Sequence, residues 1–209
     1  MKFWLPILML CSFLVSGQRT LSDLEVIGKN ISNTRSPYRY ERLLFKYQSY
    51  PASVDSIEAQ HLYYGRNFIR DKVSTTDAEF LKLAEAFRLN NISDCIRIGK
   101  ELYAKDPTNL DVLLIILRAY EQKEDAKEFS LHVAQLRLLT GAIKSSGDGR
   151  TPETAYLANS LGDEYIFLNI LNVGPDYIRS STTLKDGVMD VWTKDSSKIY
   201  IKVFFADLD

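Results

Sequence analysis

The segment 61–66, His-Leu-Tyr-Tyr-Gly-Arg, groups side chains that are well suited to hold a ligand. Aromatic rings and a guanidinium can grip a carbohydrate or a carboxylate. The candidate binding patch consists of His61, Tyr63, Tyr64 and Arg66. A structural alternative explains the same residues, because Tyr63 can pack in a core while Gly65 ends a helix. We favour this alternative and keep the patch as a hypothesis.

A second candidate lies in the loop 146–156, which contains Asp148, Arg150 and Glu153. The glycines on both sides of Asp148 could present its carboxylate as a calcium ligand or a catalytic acid. A calcium site needs several more oxygen donors than this loop offers. The loop also lacks the glycine spacing and the lysine of phosphate-binding loops. A tight turn between the helical and strand-rich parts is the simpler interpretation.

The remaining reactive side chains predict no catalytic centre. Cys95 could be a nucleophile or a redox sensor, but its place on an apolar helix face favours a small buried side chain. His132 lies on another helix pattern and is expected inside or at the border of the core. A lone histidine such as His61, without Cys or carboxylate partners at ligand spacing, does not make a metal site. We therefore expect neither a metal nor a cofactor.

A long helical stretch, 77–141, is the framework for these residues. Apolar residues recur every three or four positions in two halves, 78–103 and 110–139. Asn90-Asn91 interrupts the first half, where a short turn is expected. The sequence Asp-Pro-Thr-Asn at 106–109 separates the halves, and the spacing is typical of a tetratricopeptide repeat. We predict one full unit and a partial second unit, covered by the rest of the chain.

The predicted core of this stretch is made of residues from both halves. They are Leu83, Phe87, Ile96, Leu113, Leu117 and Tyr120.

Shorter elements surround the helical stretch. Helices are expected over 21–33, from Ser36-Pro37 to Pro51, and after a cap at Ser53 or Asp55. A second group of elements follows residue 155: a strand over 155–161, a helix over 163–171 capped by Gly162 or Asp163, and strands over 177–184, 188–193 and 198–206.

The fold class that follows is α+β. It has N-terminal helices with a tetratricopeptide-like helical hairpin, and then a small, mostly antiparallel C-terminal sheet with one short helix. The last strand is apolar on both faces, so we expect Tyr200 and Phe204 to pack on the helix over 163–171. Asp207 and Asp209 are expected to keep a further strand from adding at this edge.

The first residues predict export. Lys2, the apolar run 3–15 and the small residues before Gln18 are typical of a signal peptide covering residues 1–17. Leu10 precedes Cys11 where lipoprotein processing prefers a small residue, which disfavours a lipid anchor. The mature chain 18–209 is predicted to be one α+β domain, with a helical part over 18–145 and a strand-rich part over 146–209.

Composition limits the classes of partner. The chain has 209 residues, of which 45% are hydrophobic, and a formal charge of −1. Nucleic acid is a poor partner, because no basic run could neutralise a row of phosphates. No apolar run after residue 17 is long enough to cross a bilayer. A periplasmic or extracellular protein that binds another protein or an envelope component fits these limits.

Three motifs together resemble a known family. They are the Tyr-rich segment 61–68, the Gly-Asp-Gly loop 146–156, and Asp163-Glu164-Tyr165. In combination they are similar to a family of exported, uncharacterised Bacteroidetes proteins described only as a domain of unknown function. The segment after Phe68 departs from the family by lacking a Tyr/Pro-rich stretch. The resemblance implies the fold and export, and it carries no activity.

Three function classes remain open from the sequence. The leading hypothesis is a non-catalytic binding or assembly protein of the bacterial cell envelope, since helical hairpins present concave surfaces and no reactive constellation is visible. The alternatives are an envelope hydrolase or other enzyme whose site is assembled only in the fold, and an inhibitor or accessory subunit. An enzyme would need a nucleophile, a base and an orienting group in one pocket, and His61, Asp148 and Glu153 within hydrogen-bond reach of one cavity would favour that alternative.

Overall fold

The structure, a computed structural model, describes residues 24–204. The predicted signal peptide at 1–17, Cys11, Asp207 and Asp209 lie outside the described residues. Helices dominate the described chain up to Lys144 and a four-stranded sheet dominates its end, so the predicted α+β class is confirmed.

The helices of the described chain follow one another with short connections. Their bounds are α1 Leu24–Ser32, α2 Tyr40–Ser49, α3 Ser56–Gly65, α4 Ala78–Arg88, α5 Ile92–Lys105, α6 Leu110–Gln122, α7 Ala126–Lys144 and α8 Leu161–Ile170. Short 3-10 turns occupy Pro51–Ser53, Arg66–Phe68 and Pro152–Thr154. None of the helices in the residues 24–204 is long and apolar enough to span a membrane.

Side-chain caps explain where several helices begin. Asp55 accepts from the backbone N–H groups of Ile57 and Glu58, and Glu58 accepts from the backbone of Asp55, which completes a capping box. Asn91 caps α5 by accepting from the N–H of Asp94, and Asn109 caps α6 by accepting from the N–H of Val112. These starts agree with the sequence.

Two helix starts differ from the prediction. Residues 36–39 form a turn, in which Ser36 accepts from the N–H groups of Tyr38 and Arg39, so α2 begins only at Tyr40. The Ser36 hydroxyl competes for backbone donors that a helix would otherwise use. Ser160, and neither Gly162 nor Asp163, caps α8, and its Oγ accepts from the N–H of Asp163 at 3.1 Å.

The helical stretch consists of four consecutive helices. Asn90, with a φ of 54°, makes the expected break between α4 and α5. The predicted second half contains a further break, because Glu124 adopts a φ of 59° between α6 and α7. Glu is uncommon in this region, so the sequence carried no signal for the turn. The tetratricopeptide likeness stays a prediction.

The sheet joins four strands in the order β1-β4-β3-β2. The strands are β1 Tyr156–Ala158, β2 Ile178–Leu184, β3 Gly187–Lys194 and β4 Ser197–Phe204. β1 pairs with β4 in parallel and the other two pairings are antiparallel, so the sheet is mixed. β4 is an inner strand with partners on both sides, and the expectation that it forms an exposed edge is wrong.

The core has two apolar clusters. The larger one joins α1, α2, α3, α6, α7 and α8 to β1 and β4, and it includes Leu113, Ile201 and Phe204. The smaller one joins α4, α5 and α6 around Cys95.

The predicted hairpin core is partly correct. Leu83 and Tyr120 belong to the smaller cluster, and Ile96 packs against it. Leu117 is buried, whereas Leu113 belongs to the other cluster. Phe87 is 40% exposed, so its place in the core was wrong. α6 contributes to both clusters because opposite faces of that helix are apolar.

Candidate functional site

Tyr63 and Tyr64 of the predicted patch are fully buried. The Tyr63 hydroxyl donates to Asp163 at 2.6 Å and accepts from the N–H of Asn159 at 2.9 Å. The Tyr64 hydroxyl donates to the carbonyl of Leu157 at 3.0 Å. Burial raises the pKa of both phenols. These tyrosines fasten α3 to the strand-rich part, and they do not form a surface that could contact a ligand.

Arg66 is also held by the protein. Its Nη2 lies 2.7 Å from Oδ2 of Asp106, and its Nε lies 2.9 Å from the same oxygen. Nη2 also donates to the carbonyl of Val73, whose N–H donates back to Asp106. The guanidinium therefore ties the segment after α3 to the turn before α6.

His61 is a neutral, buried side chain. Its Nδ1 lies 2.8 Å from the carbonyl of Ile57 and its Nε2 lies 3.0 Å from the amide nitrogen of Asn30. A neutral ring that donates through Nδ1 and accepts through Nε2 satisfies both contacts. The ring stacks on Tyr38 at 4.1 Å, and burial lowers the pKa of the imidazole.

The loop around Asp148 is held by its own hydrogen bonds. Asp148 accepts from the Thr154 hydroxyl at 2.6 Å and from the N–H of Arg150 at 3.0 Å. The side chains of Arg150 and Glu153 are exposed. A glycine is favoured at position 149, because the backbone there has a φ of 67° and lies against the ring of Tyr156.

His61 of the predicted patch is not bonded to the charged side chains of the predicted loop. Across residues 24–204, no hydrogen bond or ion pair joins His61 to Asp148, Arg150 or Glu153.

Cys95 and His132 have the interior positions expected from the sequence. Cys95 is fully buried in the smaller cluster, and burial raises the pKa of its thiol. His132 is buried with its ring beside those of Tyr103 and Tyr120, and its Nδ1 lies 2.7 Å from the carbonyl of Glu128. A buried thiol with a raised pKa is a poor nucleophile.

A polar cleft of about 370 Å³ lies where the start of α6, the start of α8 and the segment after α3 converge. Its lining is formed almost entirely by charged and hydroxyl or amide side chains. They are Arg66, Asn67, Arg70, Lys72, Val73, Ser74, Thr75, Asn109, Asp111, Asn159, Ser160 and Asp163. We call this feature the polar cleft.

Several lining residues build the walls of the polar cleft. Asn109 caps α6 with its carbonyl oxygen and donates its amide N–H to the carbonyl of Val73 at 3.1 Å. Asn159 donates to the carbonyl of Tyr63 at 2.6 Å and accepts from Asn67 at 2.8 Å. These bonds fix the relative positions of three segments that are distant in sequence.

Two charged lining residues lack such hydrogen bonds. Asp111 is partly buried, and its carboxylate accepts no hydrogen bond from the described chain. Arg70 is exposed, and within residues 24–204 it forms no ion pair or hydrogen bond. Asp111 lies against Gly162, where a Cβ would come within 2.5 Å of both carboxylate oxygens. The glycine therefore leaves room for the Asp111 carboxylate.

The two acids that line the polar cleft, Asp111 and Asp163, both have a pKa above that of an ordinary aspartate. Burial is the main cause that raises the pKa of Asp163 to about 6, with Arg66 and the Tyr63 hydroxyl acting in the opposite direction. Burial also raises the pKa of Asp111, and the charge of Arg66 opposes this. The protein therefore supplies too little positive charge or hydrogen bonding to stabilise both carboxylates fully.

A second acidic group lies between α8 and the sheet. Glu164 accepts from the Trp192 indole N–H at 2.7 Å, and Asp190 accepts from Arg179 at 2.7 Å and from Ser181. Both carboxylates are fully buried. Burial, aided by the charge of Asp190, raises the pKa of Glu164 to about 7. Because solvent does not reach the two carboxylates, we interpret the group as a structural contact.

No metal centre is indicated in the part of the chain that the structure describes. No set of three or more His, Cys, Asp or Glu side chains between residues 24 and 204 is arranged to hold a metal ion.

Few signals in the sequence pointed to the polar cleft. Asp163 belongs to the Asp-Glu-Tyr motif of the resemblance, which is the one signal that could have singled it out. Asp111 looks like an ordinary acid in the first turn of a helix, and Arg70 looks like a solvated loop residue. Their common location depends on contacts between α6, α8 and the segment after α3.

Comparison with known proteins identifies the family. The family model described as "Domain of unknown function (DUF4919)" matches residues 25–208, and this range includes the polar cleft and all four described strands. The comparisons with curated proteins and with solved structures give no match. Since the family model covers well over half of the chain, the chain belongs to the DUF4919 family.

Proposed function

We propose that this protein is a non-catalytic binding or assembly protein of the bacterial cell envelope, and that it holds its ligand or partner in the polar cleft. The proposal rests on one observation: two charged side chains that line the cleft have no hydrogen-bond partner in the described chain. Arg70 forms no hydrogen bond or ion pair with the described chain, and Asp111 accepts no hydrogen bond from it. Charged groups that lack partners in a concave site are available to a polar ligand of complementary charge.

The other ionisable groups of the cleft support binding without catalysis. Arg66 is occupied by Asp106, and Asp163 accepts from Tyr63. General acid–base catalysis or nucleophilic catalysis requires a positioned group that can reach the substrate. His61 is not among the lining residues and is occupied by Ile57 and Asn30.

The envelope location rests on the sequence of residues 1–17 and on the resemblance to exported proteins. Mass spectrometry of the protein from its native cell tests this part. We expect a mature chain that begins at Gln18. A mature chain that retains residue 1, or one with a lipid on Cys11, would contradict the proposed processing.

Affinity capture from the native envelope tests the binding function. Tagged protein should retain a component that is lost with Arg70→Glu or Asp111→Asn. Matched controls are Arg42→Glu and Asp195→Asn, which change exposed residues that do not line the cleft. Equal capture by the parent chain and the cleft variants would show that the polar cleft is not the binding site.

Substitution of the predicted patch cannot serve as this test. Tyr64 is fully buried and Arg66 is paired with a buried carboxylate, so Tyr64→Ala with Arg66→Ala is expected to unfold the chain. A loss of binding in that variant would not separate recognition from folding.

A further inference from the structure

We infer that the polar cleft binds a small dipolar molecule that carries an ammonium and a carboxylate, namely an amino acid or a short peptide. This inference rests on the proposed binding function and names the chemistry of its ligand. It follows from the balance of charges that line the cleft, from one carboxylate that lacks a hydrogen-bond donor, and from the size of the cavity.

The acidic wall of the cleft suits an ammonium group. Asp111 reaches the cleft with a carboxylate that accepts no hydrogen bond from the described chain, and Asp163 lines the same cavity. An ammonium has three donors and a positive charge, which are the features that this wall lacks. Because burial raises the pKa of both acids, a bound cation would stabilise their ionised forms.

The basic wall of the cleft suits a carboxylate. Arg70 is exposed at the cavity without an ion pair in the described chain, and a guanidinium binds a carboxylate through two parallel hydrogen bonds. Lys72 lies on the same wall and donates to the carbonyl of Asn67 at 3.3 Å. A ligand carboxylate would form the ion pair that Arg70 lacks in the described chain.

The charges that remain in the cleft favour a ligand without net charge. Arg66 is neutralised by Asp106, whereas one cation, Arg70, and one acid, Asp111, line the cleft without a hydrogen bond or ion pair to the described chain. A dipolar ligand meets both signs, whereas a simple anion or cation meets one and is repelled by the other. The volume of about 370 Å³ is at the lower end of small-molecule sites, which fits an amino acid or a dipeptide.

The binding experiment compares four probes by isothermal titration calorimetry with the full protein at mildly alkaline pH, where Asp163 is ionised. The probes are alanine, alanyl-alanine, ethylamine and acetate. We expect saturable binding of alanine or alanyl-alanine, and about tenfold weaker binding or none for the amine or the carboxylate alone. The ratio between the first two probes separates a free amino acid from a peptide.

Substitutions locate the two ends of the ligand. Asp111→Asn and Arg70→Gln should each lower the affinity for the dipolar probe by about tenfold or more, because each substitution removes one charged contact. Gly162→Ala should have a similar effect without a change in charge, since its new Cβ displaces the Asp111 carboxylate. The controls Asp195→Asn and Arg42→Gln should bind as the parent chain does, and circular dichroism should show all five variants folded.

Three results would overturn the inference. In the first, none of the probes binds. In the second, ethylamine or acetate binds as tightly as the dipolar probes. In the third, the control variants lose as much affinity as the cleft variants. If the cleft variants lose the captured envelope component while no dipolar probe binds, the ligand class is wrong and the binding function stands. If the cleft variants also keep the captured component, both proposals are wrong.

Discussion

Arg66 and Asp106 form a buried ion pair, with Nη2 of the guanidinium 2.7 Å from Oδ2 of the carboxylate. The Arg66 side chain is 11% exposed and that of Asp106 is fully buried. The pair joins the segment after α3 to the turn before α6, which are forty residues apart in sequence. A residue that looks like a ligand contact in sequence is therefore a structural tie beneath one wall of the polar cleft.

Arg66→Ala should lower the free energy of unfolding by about 3–5 kcal/mol. The substitution leaves the Asp106 carboxylate buried without its cation, which is the costly way to break a buried pair. Chemical denaturation measures the change. Arg88→Ala is the matched control, because Arg88 pairs with Glu85 on an exposed helix face and its loss should change stability little. Similar values for the two variants would contradict the structural role of Arg66.

The pH dependence of stability should reveal the buried acid of the cleft. Burial raises the pKa of Asp163 to about 6 from its ordinary value of 3.8. Between these two values the folded chain holds a proton that the unfolded chain has released. The stabilisation from this group is therefore complete below pH about 4 and is lost as the pH rises to about 6.

Asp163→Asn removes this titration and keeps an oxygen that can accept from Tyr63. Relative to the parent chain, the variant should gain about 2–3 kcal/mol in unfolding free energy as the pH rises from about 4 to about 7. Urea denaturation at several pH values measures the difference between the two proteins. A difference that stays constant with pH would show that Asp163 is ionised normally in the folded chain.

Leu117→Ala should lower the free energy of unfolding by about 2–5 kcal/mol, because Leu117 is only 5% exposed and its truncation leaves a cavity. Cys95→Ala should cost less, since it removes less volume. Leu81→Ala, at a residue that is 56% exposed on α4, is the control and should change stability little. A cost for Leu117→Ala no larger than that for Leu81→Ala would refute the packing of α6.

Deletion of residues 198–209 should leave an insoluble or partly unfolded protein. β4 pairs with both β1 and β3, and its Ile201, Val203 and Phe204 belong to the larger core cluster. The deletion would expose two strand edges together with apolar surface. Solubility, circular dichroism and thermal unfolding measure the effect.

Point variants provide a milder form of the same test. Ile201→Ala should reduce the melting temperature markedly, and Lys198→Ala, at an exposed residue of the same strand, should not. A truncated chain that unfolds cooperatively at the temperature of the full chain would contradict the central position of β4.

Features of the protein that depend on near neighbours in the chain could be predicted from the order of its residues. The period of apolar residues and the caps at Asp55, Asn91 and Asn109 set helices close to their observed bounds. Alternating residues and turn signals indicated the C-terminal strands, and together they determined the α+β class. The turn at Glu124 was missed because its residue type does not favour the backbone conformation that it adopts.

The division of polar side chains into functional candidates and structural contacts depends on the packing of distant segments. Tyr63 of the predicted patch donates to Asp163 one hundred positions away, and this hydrogen bond makes Tyr63 a link between α3 and α8. The same packing brings Arg70 and Asp111 to one cavity without partners in the described chain. A side-chain pattern along the chain cannot report such arrangements, because burial and pairing of charges depend on which distant segments pack together.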